Sequence, residues 1–197
     1  MDQNIWLLWP TGENNLSISP GSLWYFVDNF RAQPINEPWT PPAWNYLGKS
    51  KKLRDFVAWM MQAPLVSQKA KQRIEELCGG DVQFLPFDNF RGKQYYAMNV
   101  LKTELVLDLK KCNGVRDSDT GKLLTLSSRQ FRRQLPNNLA PIFKDENFTS
   151  EIYVTDRFAE MVITHGLTGL ALADPSVDQL KNVIKRIDPN VVPGVIT

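Results

Sequence analysis

Few side chains in this sequence have both the type and the spacing that chemistry demands. His165 is the only histidine. It falls at the last turn of a periodic apolar segment, where an imidazole bonds a carbonyl and complements the helix dipole. As an acid–base catalyst it would need a nucleophile or a carboxylate partner, and no such constellation accompanies it. Cys78 and Cys112 are the two cysteines. They make no disulfide framework, and Cys78 lies on the apolar stripe of a helix, where a reduced thiol acts as a small hydrophobe. Residues 117–121 (DSDTG) offer oxygen ligands for calcium but lack the further ligands and closing glutamate of an EF-hand loop, and they read as a turn. The Asp and Glu residues are scattered, with no pair placed for glycosidase-type catalysis. The chain has no phosphate-binding glycine loop, no H-E-x-x-H, no C-x-x-C and no G-x-S-x-G. No cofactor and no metal are expected.

What remains is binding chemistry. Trp39, Trp44 and Tyr46 are interleaved with Pro34, Pro38, Pro41 and Pro42, a proline density that no helix or central strand survives. Such a loop is either pinned to the fold by its tryptophans or offers them to a partner, since Trp and Tyr are the usual interface anchors. A basic run ends at Arg54, and Arg129, Arg132 and Arg133 form a second cluster beside Phe131. Both clusters read as solvated turns or helix surface, and an RNA-binding reading would want more aromatic residues among the cations. The candidate partner-binding residues are therefore Trp39, Trp44, Tyr46, Arg54, Arg129, Arg132 and Arg133.

The elements that must position these groups follow from length and pattern. With 197 residues, 43% of them apolar, and a net charge of +2, the chain suits one globular domain with a small appendage. That charge alone implies no nucleic-acid partner. No stretch approaches the ~18 apolar residues of a membrane span. The start, Met1-Asp2-Gln3-Asn4, is acidic where a signal peptide is basic, so a cytoplasmic location is expected. The strongest strand signal is the stretch QYYAMNVLKTELVLDL, residues 94–109; in its first part Tyr96, Met98 and Val100 lie on one face and Tyr95, Ala97, Asn99 and Leu101 on the other. Both faces are largely apolar, so the strand should be covered on both sides. Leu105, Leu107 and Leu109 read as a second extended segment beyond a turn at residues 102–104.

Residues 5–9 read as either a buried strand or a docked arm. Further strands are expected at 23–27, 82–87, 123–126 and 151–154, and residues 167–172 lead into another, with Pro86 marking an edge. Residues 55–61 suit either a strand or a short buried helix. Helices are expected at 67–79, capped by Ser67 and ended by Gly79-Gly80, from Thr155 or Asp156 to about 165, and at 176–187. The class is α+β, a mostly antiparallel or mixed sheet with about three packed helices. The expected organisation is a Trp/Pro-rich part (1–54) packed on a main body (55–174), then a C-terminal helix and tail (175–197).

Taken in order, the helix of residues 67–79, Phe84-Leu85-Pro86, Tyr95-Tyr96, Asn99-Val100-Leu101 and Leu107-Asp108-Leu109 form a pattern. Residues 151–156 (EIYVTD), Phe158 and His165-Gly166-Leu167-Thr168-Gly169 extend it. This order and spacing resembles a family of bacterial immunity proteins found in polymorphic-toxin and type VI secretion loci, over roughly residues 55–174. The resemblance implies a binding protein, not an enzyme, whose partner is a cognate toxin. Most of the pattern has a packing explanation, so it marks the fold and leaves the toxin-binding surface open. Two other readings stand beside it: a small enzyme using scattered carboxylates, and an adaptor or nucleic-acid-associated protein acting through Arg129, Arg132 and Arg133.

Overall fold

A computed structural model describes residues 4–10, 16–18, 29–47, 52–60 and 62–175. Its centre is the expected strand, β7 (Tyr95–Val100), inside a four-stranded antiparallel sheet. The other members are β4 (Phe56–Met60), β5 (Ala63–Ser67) and β6 (Val82–Pro86), in the order β4-β5-β7-β6. The segment expected as strand or helix thus supplies a strand over Phe56–Met60. Pro86 closes the edge strand β6, where a missing N–H costs no ladder bond. Pro64 lies in an interior strand, but it sits where the β4–β5 register slips between Val57 and Met60. A bulge is the place in a sheet that tolerates a proline.

From β7 the chain passes through Leu101 and Lys102 into a second, five-stranded sheet. It enters at β8 (Thr103–Glu104), which pairs in parallel with β9 (Ile142–Asp145). Then come β10 (Phe148–Thr155), β1 (Ile5–Pro10) and β11 (Leu170–Ala173), giving the order β11-β1-β10-β9-β8. The expected turn at 102–104 is therefore a short strand. β1 lies between β10 and β11, with Ile5 opposite Thr155 and Pro10 opposite Leu170. It is an inner strand of this sheet. A two-stranded ribbon joins β2 (Leu16–Ile18) to β3 (Trp44–Tyr46), so even the proline-rich loop forms a short peripheral strand.

Two α-helices lie wholly within the described residues, against the three expected. The 176–187 helix and the 23–27 strand fall outside the described residues. Helix α1 (Gln68–Cys78) begins at Ser67, whose Oγ accepts the Ala70 N–H at 3.2 Å while donating to Asp55 at 2.8 Å. It ends at Gly79. Helix α2 (Asp156–Thr164) follows β10 directly, and its N-cap Thr155 makes no side-chain cap. Asp156 instead accepts the Trp6 indole N–H at 2.9 Å, tying the helix start to β1. His165 is the C-cap residue, its backbone N–H bonded to the Met161 carbonyl.

Alternation along the strands sorts the apolar residues into three clusters. Leu8, Phe56, Val66, Met98, Val100, Ile152 and Val154 turn one face of each sheet toward a shared core, which also takes Ile74 from α1 and Phe158 and Val162 from α2. Each fully buried Phe, Ile or Val there contributes roughly 1.5–3 kcal/mol. The other face of the four-stranded sheet carries Leu65, Leu85, Tyr95 and Ala97, and residues 29–47 cover it. The other face of the five-stranded sheet carries Leu7, Phe143 and Tyr153, and residues 105–140 cover it. Each sheet thus has an irregular segment for a lid. Among the described residues no helix is long and apolar enough to cross a membrane.

Candidate protein-binding surface

The first covering segment, residues 29–47, has almost no regular structure, so its backbone polar groups must find partners elsewhere. Side chains of both sheets supply them, Lys144 from β9 of the five-stranded sheet and Asn99 and Gln83 from the four-stranded one. Lys144 donates to the Phe30 carbonyl at 2.6 Å, and Asn99 donates to the Gln33 carbonyl at 2.9 Å. Gln83, directly opposite Asn99 across the β6–β7 ladder, offers its whole amide to Ile35: Nε2 donates to the carbonyl at 2.9 Å and Oε1 accepts the N–H at 3.0 Å. The indoles complete the attachment. Trp39 donates to the Pro86 carbonyl at 2.5 Å, and Trp44 donates to Asp88 at 2.7 Å. Trp39 also stands edge-on to the buried Phe30 ring.

The tryptophans therefore pin the loop, yet Trp39, Trp44 and Tyr46 all stay half-buried. Their open sides meet the β6–β7 connection. Phe90 and Lys93 exchange backbone hydrogen bonds at 2.9 and 3.0 Å, leaving Arg91 and Gly92 as a two-residue loop with φ of 50° and 78°. Both central residues at positive φ is the type I′ requirement, which Asn-Gly normally meets. Arg91 is a costly choice there, by roughly 1 kcal/mol. Its guanidinium lies 4.9 Å from the Tyr46 ring centroid and 5.2 Å from that of Phe90. Phe90 in turn packs 5.2 Å from Trp44 and 5.0 Å from Tyr46. The result is a half-exposed stack of Trp, Phe and Tyr with Arg91 over it, on a tight hairpin. Leu47 beside it is 64% exposed.

Six of the seven candidate residues named from sequence are divided between the two lids, and Arg54 lies in neither. Trp39, Trp44 and Tyr46 come together over the four-stranded sheet. Arg54 precedes β4, with its carbonyl accepting the Tyr95 hydroxyl at 2.7 Å. The arginine trio lies in the other lid. Arg132 and Arg133 are exposed, and Arg132 donates from Nε to the Leu107 carbonyl at 3.2 Å. Arg129 corrects the surface expectation: it is 1% exposed and forks onto Glu151, with Nε on Oε2 at 2.8 Å and Nη2 on Oε1. Glu151 Oε2 also accepts the Tyr153 hydroxyl at 2.6 Å. Burial works against the guanidinium charge, but the Glu151 carboxylate more than offsets it and holds Arg129 above its ordinary value. Burial and the same carboxylate raise Tyr153 well above the usual phenol range.

Phe90 and Arg91 are the members of the stack that sequence reasoning missed. An Arg-Gly pair between two strands was the available signal. What the turn stacks against was not visible, because Tyr46 is distant in the chain.

The remaining chemistry is quiet. Burial, with the Asp81 charge, pushes the Cys78 thiol up to about 12, so it stays protonated and un-nucleophilic at neutral pH. Both cysteines are buried and free. Asp117 accepts the Thr120 hydroxyl and N–H, each at 2.7 Å, and the Asp119 N–H at 3.2 Å, which makes residues 117–121 an Asx-type turn. Hydrogen bonding from Thr120 holds its carboxyl below the usual range. Among the described residues, no group of three or more His, Cys, Asp and Glu is placed to hold a metal ion. No family model matches the chain, and no curated protein matches it either.

Proposed function

We propose that this chain is a cytoplasmic bacterial immunity protein that binds and neutralises a cognate toxin, and that it acts by occlusion rather than turnover. The resemblance in residues 55–174 supplies the class of partner. The observation that supports a binding role is the Trp44–Phe90–Tyr46–Arg91 stack. Half-exposed aromatics and an arginine are the residue types that dominate interface energetics. Here they are fixed in place before any partner arrives, by the hydrogen-bonded loop beneath and the tight hairpin beside them. Preorganisation of this kind lowers the ordering cost of association. A backbone outlier kept on an exposed tip, where Asn or Gly would relieve it, is also a mark of use. On this reading Tyr46 and Arg91 anchor the complex, within a footprint of about 800 Å² per partner.

The test is co-expression with the product of the adjacent gene, scored by growth rescue and co-purification, followed by affinity measurement on Arg91→Ala and Tyr46→Ala. A complex that rescues growth, with each substitution weakening it at least about tenfold, is the expected result. A complex that both variants form at full strength would move the binding surface elsewhere. No toxicity and no complex would remove the immunity reading.

A further inference from the structure

Strand β9 carries two charged residues side by side, Lys144 and Asp145, and both are fully buried. Consecutive strand residues point to opposite faces, so each enters a different layer. Asp145 turns toward residues 105–140 and fastens their start. Its Oδ2 accepts the Val106 N–H at 3.0 Å and the Leu107 N–H at 2.8 Å, and its Oδ1 accepts the Asn147 N–H at 2.9 Å. Lys144 turns the other way and fastens residues 29–47 through the Phe30 carbonyl. One strand thus holds both covering segments by their backbones.

The two fastenings differ in how well they suit a charge. Three N–H donors satisfy the Asp145 carboxylate. An ammonium carries three donors of its own, and among the described residues Lys144 meets one acceptor and makes no ion pair. The charged groups around it are engaged elsewhere or turned away. On β8, Glu104 pairs with Lys102 at 3.6 Å. On β10, Glu151 is held by Arg129 and Tyr153. Asp81, at the head of β6, is half-buried and acts on Cys78, and Arg31 and Glu37 of the covering segment are exposed. The four-stranded sheet presents Asn99 and Gln83 to this segment, both uncharged. Burial alone acts on Lys144 and brings it down to about 7. Asn99 Oδ1, buried beneath the same stretch, finds no partner among the described residues.

We propose that residues 29–35 are a proton-operated latch: when Lys144 takes up a proton, this stretch lifts off the sheets while both sheets stay folded. The closed latch leaves two N–H groups of an ammonium without acceptors, and the lifted one lets water reach them. The same water reaches Asn99 Oδ1. The stretch forms no ladder among the described residues, and Lys144, Asn99 and Gln83 hold its main chain at Phe30, Gln33 and Ile35. Trp39 and Trp44 fasten the later part through Pro86 and Asp88, so the lift stops short of the aromatic stack. The latch is independent of what that stack binds. Once released, the amine titrates near its ordinary value of about 10.4. Between about 7 and about 10.4, each unit of falling pH therefore multiplies the opening constant about tenfold, and below about 7 the effect levels off.

The experiment is hydrogen–deuterium exchange on the full chain from about pH 7 to about pH 8.5. It is read at the Ile35 amide, which Gln83 holds at 3.0 Å, and at the amides of β7. Dividing out the intrinsic exchange rate at each pH gives the protection. Ile35 protection should rise at least about tenfold across this range, and the β7 amides should exchange at least about 100-fold more slowly than Ile35 at every pH. Lys144→Met keeps a buried unbranched side chain that cannot take up a proton, and it should flatten the Ile35 profile while β7 stays protected. Flat Ile35 protection in the unaltered chain would overturn the proposal, whether or not the variant folds. Ile35 and β7 amides exchanging together would also overturn it, because the release would then be unfolding of the whole domain. So would a rise that Lys144→Met retains, since another group would then be taking up the proton.

Discussion

Glu151→Gln tests most directly whether the second lid is held as described. Arg129 is 1% exposed, and among the described residues its side chain reaches no other acid: Nη2 also donates weakly to the Leu126 carbonyl at 3.4 Å, and Nη1 finds no partner there. Glutamine keeps the volume of Glu151 but removes the charge, and its NH2 group must then face either the guanidinium or the Tyr153 hydroxyl. A buried cation is left without a counter-charge, a change that costs about 3–5 kcal/mol when one partner of such a pair is removed. For a domain of this size each kcal/mol moves Tm by roughly 2–4 °C, so a fall of about 6–20 °C is expected in a calorimetric or circular-dichroism melt. The loss should be local first. Trypsin should cut residues 105–141 at Arg116 and Lys122 faster in the variant, because the Arg129–Glu151 pair is one of the ties that hold this lid to β10. Replacing the group with apolar residues of similar volume, as Arg129→Met, Glu151→Leu and Tyr153→Phe together, should recover most of the loss. A Tm change under about 2 °C for Glu151→Gln, or a triple variant as unstable as the single one, would refute the reasoning and mean that water reaches the guanidinium.

Two further outcomes are expected. A Cβ on Gly169, at φ +92°, would lie 2.2 Å from the Phe56 carbonyl oxygen and 2.6 Å from the Arg54 Cβ. Gly169→Ala should therefore cost at least about 3 kcal/mol in a urea titration, and an unchanged midpoint would show that the 166–169 loop is not wedged there. Burial pushes Lys144 down to about 7, against about 10.4 in the unfolded chain. Between those values the unfolded state binds a proton that the folded state does not, so stability from this group rises with pH across that window and its deficit is full below it. Urea midpoints from pH 6.5 to 9.5 should climb relative to those of Lys144→Met, and parallel curves would refute it.

What the sequence made legible was local. The alternation in residues 95–100 named the right faces, since Tyr96, Met98 and Val100 do meet one cluster and Tyr95 and Ala97 the other. The Ser67 cap, the stop at Gly79 and the edge position of Pro86 each rest on a single residue's chemistry, and each is found. Non-local pairing was not legible. The 5–9 strand was visible, but its place beside Thr155 and Ala173 depends on partners at the far end of the chain. Arg129 read as surface because its neighbours Arg132 and Arg133 are surface; its carboxylate lies 22 residues on, in another strand. The leucines at 105–109 and 123–126 suggested strands. Only Leu107 and Leu123 bridge, each singly, and Leu107 and Leu126 are buried against the outer face of the five-stranded sheet without a ladder, while Leu124 stays exposed. The stack at the hairpin tip needed both the turn and the covering loop, so no one segment announced it.

The grip on residues 29–47 has a consequence for variation. Lys144, Asn99 and Gln83 hold that segment by its main-chain groups at Phe30, Gln33 and Ile35. The peptide backbone is the same whatever the residue, so these hydrogen bonds do not read the exposed side chain of Gln33, whereas Ile35 also packs on the cluster beneath. Substitutions between the anchoring rings can alter what the surface displays while the sheet keeps hold of the loop. A scaffold that clasps its display segment in this way can change its specificity without renegotiating its fold.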